Sequence, residues 1–173
     1  LMELSISGVP LGFGVLTVEN EEQAKVRADR KQKNKGAEVV AVDIDIRAHN
    51  RKAIEAHPMS KRLTMIQGSS IDSVIVSQVK AKAKGKSSVL VCLDSNHTHD
   101  HVLAELRAYA PLVSPGSYCV VFDTLVEDLP ANAIGDRPWA PGNNPMTALE
   151  AYLKEDKRFE IDERLHVLAA HPR

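Results

Sequence analysis

The chain has 173 residues, a formal net charge of -1 and only 4% aromatic residues. This length suffices for one domain with a proper hydrophobic core, and the lack of a basic stripe or of stacking aromatics argues against nucleic-acid binding. No apolar run is long enough to cross a bilayer and no secretory leader is visible, so we expect a cytoplasmic protein without a membrane partner. Cys92 and Cys119 fall in predicted core strands, where we expect buried thiols rather than a disulfide.

The first 36 residues are the least regular part of the chain. They contain Gly8, Gly12 and Gly14 but neither a GxGxxG motif nor a P-loop. Residues 19–35 are charged on nearly all sides. We therefore expect an irregular or inserted segment over residues 1–36, followed by an α/β domain over residues 37–173.

From residue 37 onward, apolar runs alternate with helical patterns. A strand ends at Asp43, and a short helix is predicted over Ala48–Ala56. A second strand is predicted over Leu63–Gln67. The turn Gly68–Ser70 then precedes a helix over Ile71–Ala83, which we expect a serine side chain to cap. This alternation predicts an α/β fold with a mostly parallel sheet.

Two further apolar runs each end in an acid. The run Val89–Leu93 stops at Asp94. The run Tyr118–Phe122 stops at Asp123, and a helix is predicted between them over Val102–Leu112. Ligands of parallel sheets bind beyond the carboxyl ends of the strands, so both carboxylates should point into one crevice. The pair predicts a site for a hard divalent cation, although either acid alone can simply cap its strand.

Three histidines follow the first of these acids: His97, His99 and His101. His97 is our candidate general base, because the pKa of imidazole lies near neutrality, but it can equally cap the following helix. The run HTHDH is one residue shorter than the HxHxDH motif of metallo-β-lactamase-like zinc hydrolases. A histidine with Asp94 also loosely resembles an iron hydroxylase site, which uses two histidines and one carboxylate. Both readings stay open as alternatives, and an NAD-dependent dehydrogenase ranks below them.

The last part of the chain begins with a long loop. Residues 124–145 carry four prolines and the single tryptophan, Trp139, and we expect either a lid over a binding site or a plug in a surface groove. A helix is predicted over Thr147–Leu153. The segments Arg158–Ile161 and His166–Ala169 predict two short strands, forming an antiparallel hairpin at the end of an otherwise parallel sheet.

Four runs carry a family resemblance: VVAVDIDIRAHNRKAIEAHP, MIQGSSID, LDSNHTHDHVLAELRAYAPLVSPGSYCVVFDT and RPWAPGNNP. They resemble the cephalosporin hydroxylase and rhamnosyl O-methyltransferase family over about Ala37 to Pro172. The resemblance implies a Rossmann-like, class I S-adenosylmethionine (SAM)-dependent methyltransferase fold. In that fold the first strand and its glycine-rich turn would be missing from this chain, so a noncatalytic or truncated methyltransferase-like protein remains an alternative.

The resemblance also implies site residues. Asp43 would accept hydrogen bonds from the ribose hydroxyls of the cofactor, with Asp45 as the less favoured substitute. The other implied cofactor positions are Gly68, Ser69, Ser70 and Asp94, with Asp72 a weaker candidate. The metal would be held by Asp94, Asp123 and Thr124. The family often has Glu-Asp where this chain has Phe122-Asp123, and Thr124 replaces an amide, so the ligand set is reduced.

The function expected from these residues is SAM-dependent, Mg²⁺-assisted O-methylation of a hydroxyl on a small molecule or glycoside. Mg²⁺ needs few protein oxygens because it keeps several waters, so two carboxylates can suffice. The sequence names neither the acceptor nor the oligomeric state, and a homo-oligomer is possible.

Overall fold

The structure, a computed structural model, describes residues 36–162, and from Glu38 onward these belong to one compact unit. Our predictions for residues 1–35 and for the strand His166–Ala169 lie outside the described residues. No described helix is long and apolar enough to cross a membrane. Strands and helices alternate in the order β1 Val39–Asp43, α1 Ala48–Ala56, β2 Leu63–Gln67, α2 Ser73–Ala83, β3 Val91–Leu93, α3 His99–Tyr109, β4 Cys119–Val121 and α4 Pro145–Glu155.

The strands form two parallel pairs. β1 pairs with β2, so that Asp43 lies opposite Gln67, and β3 pairs with β4, so that Leu93 lies opposite Val121. A helix connects the two strands of each pair, as parallel strands require. The predicted α/β class with parallel strands is confirmed, whereas the described strands divide into two ladders rather than one sheet.

Helix starts differ from the sequence prediction, although α1 has the predicted bounds. α2 begins two residues late because its N-cap is Asp72 rather than a serine. The Oδ1 atom of Asp72 accepts hydrogen bonds from the backbone N–H groups of Val74 (2.8 Å) and Ile75 (3.2 Å). At the other end of the domain, α4 begins two residues earlier than predicted, with Asn144 as its N-cap.

The helix predicted over Val102–Leu112 is shifted toward the N-terminus. α3 starts at His99, so His99 and His101 belong to its first turn. The predicted last turn is instead a 3-10 helix, Ala110–Leu112, which contains Pro111. Proline has no N–H to donate to the carbonyl four residues earlier, so the α-helical hydrogen-bond pattern of α3 ends where Pro111 enters.

The core lies behind the ends of β3 and β4. α3 packs against α4, and the side chain of Leu106 is only 1% exposed between them. Burying one such leucine contributes about 1.5–3 kcal/mol, so this pair of helices forms a stable support for the loops at the strand ends. The buried cluster consists of Leu93, Val102, Leu103, Leu106, Tyr109, Ala110, Ala148 and Tyr152.

The prediction that both cysteines are buried is wrong for Cys92. Cys92 is exposed and Cys119 is half-buried, and both thiols are free. The strands β3 and β4 have only three residues each, so too little covers the outer face of β3 to bury Cys92. Burial, with a smaller contribution from Cys92, raises the pKa of Cys119 to about 12.

The predicted C-terminal hairpin is not formed by the described residues. Arg158–Ile161 was expected to be a strand, but it has no strand partner up to residue 162. Asp156 instead closes a local turn, because its Oδ1 atom accepts hydrogen bonds from the backbone N–H (3.0 Å) and from Nε (2.9 Å) of Arg158. These short-range bonds hold Arg158 in a turn conformation that cannot extend into a ladder.

Candidate functional site

Two acids and a histidine converge beyond β3 and β4. Asp94 follows β3 and Asp123 follows β4, and the two strands are parallel, so both acids leave the pair at the same edge. His97 lies between them: its Nε2 atom contacts Oδ2 of Asp123 and lies 3.7 Å from Oδ1 of Asp94. One ligand atom from each of the three residues lies within 4.8 Å of the other two. We call Asp94, His97 and Asp123 the acid–histidine cluster.

Asp123 has an unusual backbone conformation. Its φ of 56° makes it the only non-glycine residue with positive φ among residues 36–162. Aspartate tolerates this left-handed region better than most residues, and such conformations concentrate at functional sites. The chain passes directly from this position into a 3-10 helix that starts at Thr124, which places half-buried Thr124 beside the cluster in sequence.

The cluster is electrostatically suited to a cation. Partial burial and the neighbouring charge of Asp123 raise the pKa of Asp94, and His97 opposes this increase. A cation between the two carboxylates would offset their repulsion. Carboxylate oxygens are the ligands that Mg²⁺ and Mn²⁺ prefer, while the imidazole nitrogen also suits Zn²⁺. The donor set therefore fits a divalent cation.

The proline-rich loop lies against the cluster. The ring centroids of Trp139 and His97 are 4.9 Å apart, with their planes tilted by 35°. The guanidinium carbon of Arg137 lies 5.6 Å from the centroid of Trp139 on the same loop. Trp139 therefore covers the imidazole, which fits the prediction that this loop adjoins a binding site.

Asn144 and Glu127 hold the loop in place. Glu127 accepts hydrogen bonds from the backbone N–H of Gly142 (2.8 Å) and from the side-chain amide of Asn144. Asn144 is fully buried and caps α4, where it forms a reciprocal capping box with Thr147. The Oγ1 atom of Thr147 is also hydrogen bonded to Nδ1 of His99, at 2.8 Å, which ties α4 to α3. The backbone N–H of His99 donates to Oδ1 of Asn143 at 2.9 Å, so the loop is tied to α3 as well.

The residues predicted to bind the nucleoside lie at the ends of β1 and β2. The backbone N–H of Gly68 donates to the carbonyl of Asp43 at 2.9 Å, so the two residues are neighbours. The φ of Gly68 is +149°, and an added Cβ would lie 3.0 Å from Ile75, so the turn favours glycine. Asp43 uses Oδ1 to accept from the backbone N–H of Asp45 at 2.9 Å. Asp72 caps α2 with its carboxylate, which makes it a weaker ligand candidate.

A hydrogen bond links this turn to the other strand pair. The Oγ atom of Ser70 and the Nε2 atom of His101 are 3.0 Å apart, and His101 lies in the first turn of α3. The hydroxyl of Tyr109, further along α3, donates to the carbonyl of Ser70. The loops at the carboxyl ends of β2 and β3 are therefore joined through α3. Ser69 contributes its carbonyl to the turn by accepting from Asp72 N–H at 3.0 Å.

Sequence comparison defines the family. The sequence profile of the rhamnosyl O-methyltransferase/CmcI family matches residues 13–170. The chain belongs to this family. The resemblance seen in the four sequence runs is thus confirmed, and the match begins ahead of the expected start at Ala37. Membership in the rhamnosyl O-methyltransferase/CmcI family implies the class I methyltransferase fold, consistent with the parallel strands described above.

Individual relatives cover the chain only in part. A rhamnosyl O-methyltransferase of Mycobacterium bovis (strain BCG / Pasteur 1173P2) is 33% identical over 113 residues, which are 62% of this chain and 42% of that protein. The same values hold for a rhamnosyl O-methyltransferase of Mycobacterium tuberculosis (strain ATCC 25618 / H37Rv). The matched stretch therefore spans less than half the length of these relatives.

A second kind of relative matches a shorter stretch. A 6,7-dimethyl-8-ribityllumazine synthase of Novosphingobium aromaticivorans is 63% identical over 38 residues, which are 22% of this chain and 27% of that protein. No solved structure matches the chain.

The three histidines of the HTHDH run have different partners. His97 contacts the acids, His99 bonds to Thr147, and His101 bonds to Ser70. They therefore do not converge on one metal, as a zinc hydrolase of the HxHxDH type would require. Within residues 36–162, the acid–histidine cluster is the only group of three such side chains close enough to hold an ion.

The sequence analysis missed Glu105. This residue is only 2% exposed, and its Oε1 atom accepts a hydrogen bond from Oγ of Ser95 at 2.7 Å, directly after Asp94. The signal was present in the helical spacing: Glu105 is three residues after Val102 and four before Tyr109, which places an acid on the apolar face of α3. Charged groups are costly to bury unless they are paired, so an acid at such a position indicates a structural or functional role.

Proposed function

We propose that the chain acts as a SAM-dependent, Mg²⁺-assisted O-methyltransferase on a hydroxyl group of a small molecule or glycoside. The observation that carries this proposal is the convergence of Asp94, His97 and Asp123 beyond β3 and β4. Family membership supports the reaction class. The two free thiols support a cytoplasmic location, which we also propose.

Asp94 and Asp123 would hold the cation, with the hydroxyl of Thr124 as an additional oxygen. Phe122 is 45% exposed and offers no metal-ligand atom, whereas the family often has a second acid at this position. The protein therefore contributes few ligands to the cation. Mg²⁺ tolerates this because it retains waters. Bound there, it would lower the pKa of an acceptor hydroxyl.

Asp43 and the turn after β2 would bind the nucleoside of SAM, which supplies the methyl group. The carboxylate of Asp43 offers acceptor oxygens to the vicinal ribose hydroxyls. Gly68, Ser69 and Ser70 would lie along the adenine, and Asp94 would border the same cleft. The bonds from Ser70 to His101 and Tyr109 hold this turn in position before the cofactor binds.

His97 would act as the general base. Its Nε2 atom faces Asp94 and Asp123, so a hydroxyl placed between the carboxylates lies within reach of that nitrogen. Nε2 would take the proton of the acceptor hydroxyl, and Asp123 would then accept a hydrogen bond from the protonated ring. SAM, when bound, would supply the methyl group to the acceptor oxygen and leave as S-adenosylhomocysteine when its S–CH3 bond breaks. Trp139 packs on the imidazole and limits its orientation.

The acceptor that we propose first is a glycosyl hydroxyl. The curated relatives are named for a rhamnosyl acceptor, and a loop bearing Trp139 and Arg137 borders the cluster. An indole offers an apolar face to a sugar ring and an N–H at its edge. A phenyl rhamnoside is therefore a suitable first acceptor to test.

The alternatives predict other results. An iron hydroxylase would use two histidines and one carboxylate, whereas the cluster has one imidazole and two carboxylates. A noncatalytic methyltransferase-like protein would keep the fold without binding the cofactor. The lumazine synthase match covers too little of that enzyme to support its reaction here.

The deciding experiment is calorimetric titration of the full chain with SAM, S-adenosylhomocysteine and NAD, each with and without Mg²⁺. We expect the first two to bind and Asp43→Ala to abolish their binding.

Transfer of a labelled methyl group to the phenyl rhamnoside should fall in Asp94→Asn and Asp123→Asn but not in Asp100→Asn, which changes an exposed acid in the first turn of α3. Absence of nucleoside binding would support the noncatalytic alternative, and activity unchanged in both cluster variants would exclude a role for the cation.

A further inference from the structure

Two buried polar atoms beneath the acid–histidine cluster have no hydrogen-bond partner among the described residues. They are Nδ1 of His97 and Oε2 of Glu105. Both residues line the same small pocket, which is also lined by Asp94 and Phe122. No water molecule has room in this pocket, so solvent cannot satisfy either atom there.

Leaving both atoms unpaired is costly. A buried polar group without a partner costs about 1–3 kcal/mol. An imidazole nitrogen can carry a proton, and a carboxyl oxygen can accept it, so the two atoms are chemically complementary. Both residues line one pocket, so a shift of either side chain can bring the two atoms together.

Glu105 is firmly held while its second oxygen stays available. Its Oε1 atom accepts from Ser95 at 2.7 Å and lies 3.6 Å from Nε2 of His101. The residue sits on the buried face of α3 between Leu103 and Leu106, where packing restricts its side chain. A fixed carboxyl group with one free oxygen can orient an adjacent imidazole, as carboxylates do behind histidines at metal and catalytic sites.

We propose that Glu105 is a positioning residue for His97: Oε2 accepts the Nδ1–H of His97 when the cluster is occupied, which leaves the lone pair of Nε2 free for the acceptor hydroxyl placed between Asp94 and Asp123. This inference rests on the proposed function of the cluster. Catalytic hydrogen bonds are often loose in the free protein and shorten when ligands bind. After Nε2 has taken a proton, Asp123 would face one N–H of the ring and Glu105 the other.

The tautomer of His97 provides the test. In ¹⁵N-histidine-labelled protein saturated with Mg²⁺, NMR should show His97 protonated at Nδ1, with the signal assigned through His97→Gln. In the isosteric Glu105→Gln variant, the Nδ1–H form should lose its preference. Mn²⁺ affinity, measured by electron paramagnetic resonance, should fall about tenfold, because an Nε2–H would then point at the cation held by Asp94 and Asp123.

Leu103→Ala is the matched control, because it weakens the same helix face without removing the carboxyl group. It should lower stability and leave the His97 tautomer and the Mn²⁺ affinity unchanged. A wild-type His97 protonated at Nε2 with the cation bound would overturn the proposal, as would Glu105→Gln protein with the wild-type tautomer and affinity. Neither measurement requires SAM or methyl transfer, so failure here is distinguishable from failure of the proposed function.

Discussion

The Nε2 atom of His97 lies 3.7 Å from Oδ1 of Asp94, and the same nitrogen contacts Asp123. Burial raises the pKa of Asp94, and the charge of Asp123 adds to the increase. Only His97 opposes it. Under the proposed function, a cation between the two carboxylates would offset this electrostatic cost.

The first prediction concerns Asp94→Asn, which keeps the shape of the side chain and removes one of the two charges. We expect Mg²⁺ affinity to fall at least about tenfold, since a carboxylate ligand is lost. The free energy of unfolding without Mg²⁺ should stay equal or rise by less than about 1 kcal/mol, because Asp94 is largely exposed and screened. Calorimetry and urea denaturation measure the two effects.

Asp100→Asn is the control for this variant, because Asp100 is exposed on α3 and lies outside the cluster. It should leave Mg²⁺ affinity unchanged. Wild-type Mg²⁺ affinity in Asp94→Asn would show that the cation, if it binds, is held elsewhere.

The second prediction concerns Trp139, which packs on His97 with 4.9 Å between ring centroids. Trp139→Ala also removes the ring face on which the proposed glycosyl acceptor would pack, and a contact of this kind contributes about 0.5–1.5 kcal/mol. We expect a rise of about two- to tenfold in KM for the acceptor, by the usual conversion of free energy to affinity. Steady-state methyl-transfer kinetics measure it, and Trp139→Phe should restore most of the loss. A drop in melting temperature with unchanged KM would mean that Trp139 only plugs a surface groove.

Apolar periodicity was sufficient to locate the four described strands and much of the helix pattern, but it wrongly predicted a strand at Arg158–Ile161 and missed most helix starts. α1 and β2 have the predicted bounds because their apolar residues and flanking breaks leave little choice. Before α2, however, a serine was the expected cap. Ser70 is instead hydrogen bonded to His101 and Tyr109, and Asp72 caps the helix.

The site was predictable to the extent that topology determines it. Asp94 and Asp123 end parallel neighbours, so their proximity follows from strand order alone. The contact between Trp139 and His97 depends instead on how a 22-residue loop folds back, and no local pattern encodes that. The burial of Glu105 was visible as an acid on an apolar helix face, yet its partner Ser95 could not be read from the spacing.

The third prediction concerns Asn144, which is fully buried at the start of α4. Asn144→Ala removes the acceptor for two backbone N–H groups and one of the donors to the carbonyl of Ala140 and to the carboxylate of Glu127. We expect a loss of about 1–3 kcal/mol in unfolding free energy. Asn144→Asp keeps the side-chain oxygen that caps α4 but lacks the amide donors. Its loss of unfolding free energy at low pH should therefore lie between zero and the loss of Asn144→Ala. A loss below about 0.5 kcal/mol for alanine would contradict this account of the loop.

The fourth prediction concerns the two thiols. Burial raises the pKa of Cys119 to about 12, so almost no thiolate forms at pH 8, whereas Cys92 is exposed. Ellman's reagent should modify one thiol per native chain and two in urea. Cys92→Ser should remove the native reaction and Cys119→Ser should not. Rapid modification of Cys119 in folded protein would show that β4 opens readily.

The fifth prediction concerns the pH dependence of the loop that carries Trp139. The backbone N–H of Gly142, and then the side chain of Asn144, hold the pKa of Glu127 below its ordinary value of 4.5. A carboxyl group with a depressed pKa contributes stability that is present above its ordinary pKa and is lost as pH falls through the lower, folded value. Wild type should therefore be more stable than Glu127→Gln near neutral pH, and the difference should shrink once the pH falls below 4.5.

Fluorescence of the single tryptophan, Trp139, reports this loop directly. On acidification below pH 4.5 the wild-type emission should move toward that of Glu127→Gln, because protonation removes the acceptor that binds Gly142 and Asn144. Glu150→Gln, an exposed acid on α4, should follow the wild-type profile throughout. If Glu127→Gln and wild type differ equally at neutral and acidic pH, the carboxylate does not hold the loop, and Asn144 must do so through its bond to Ala140.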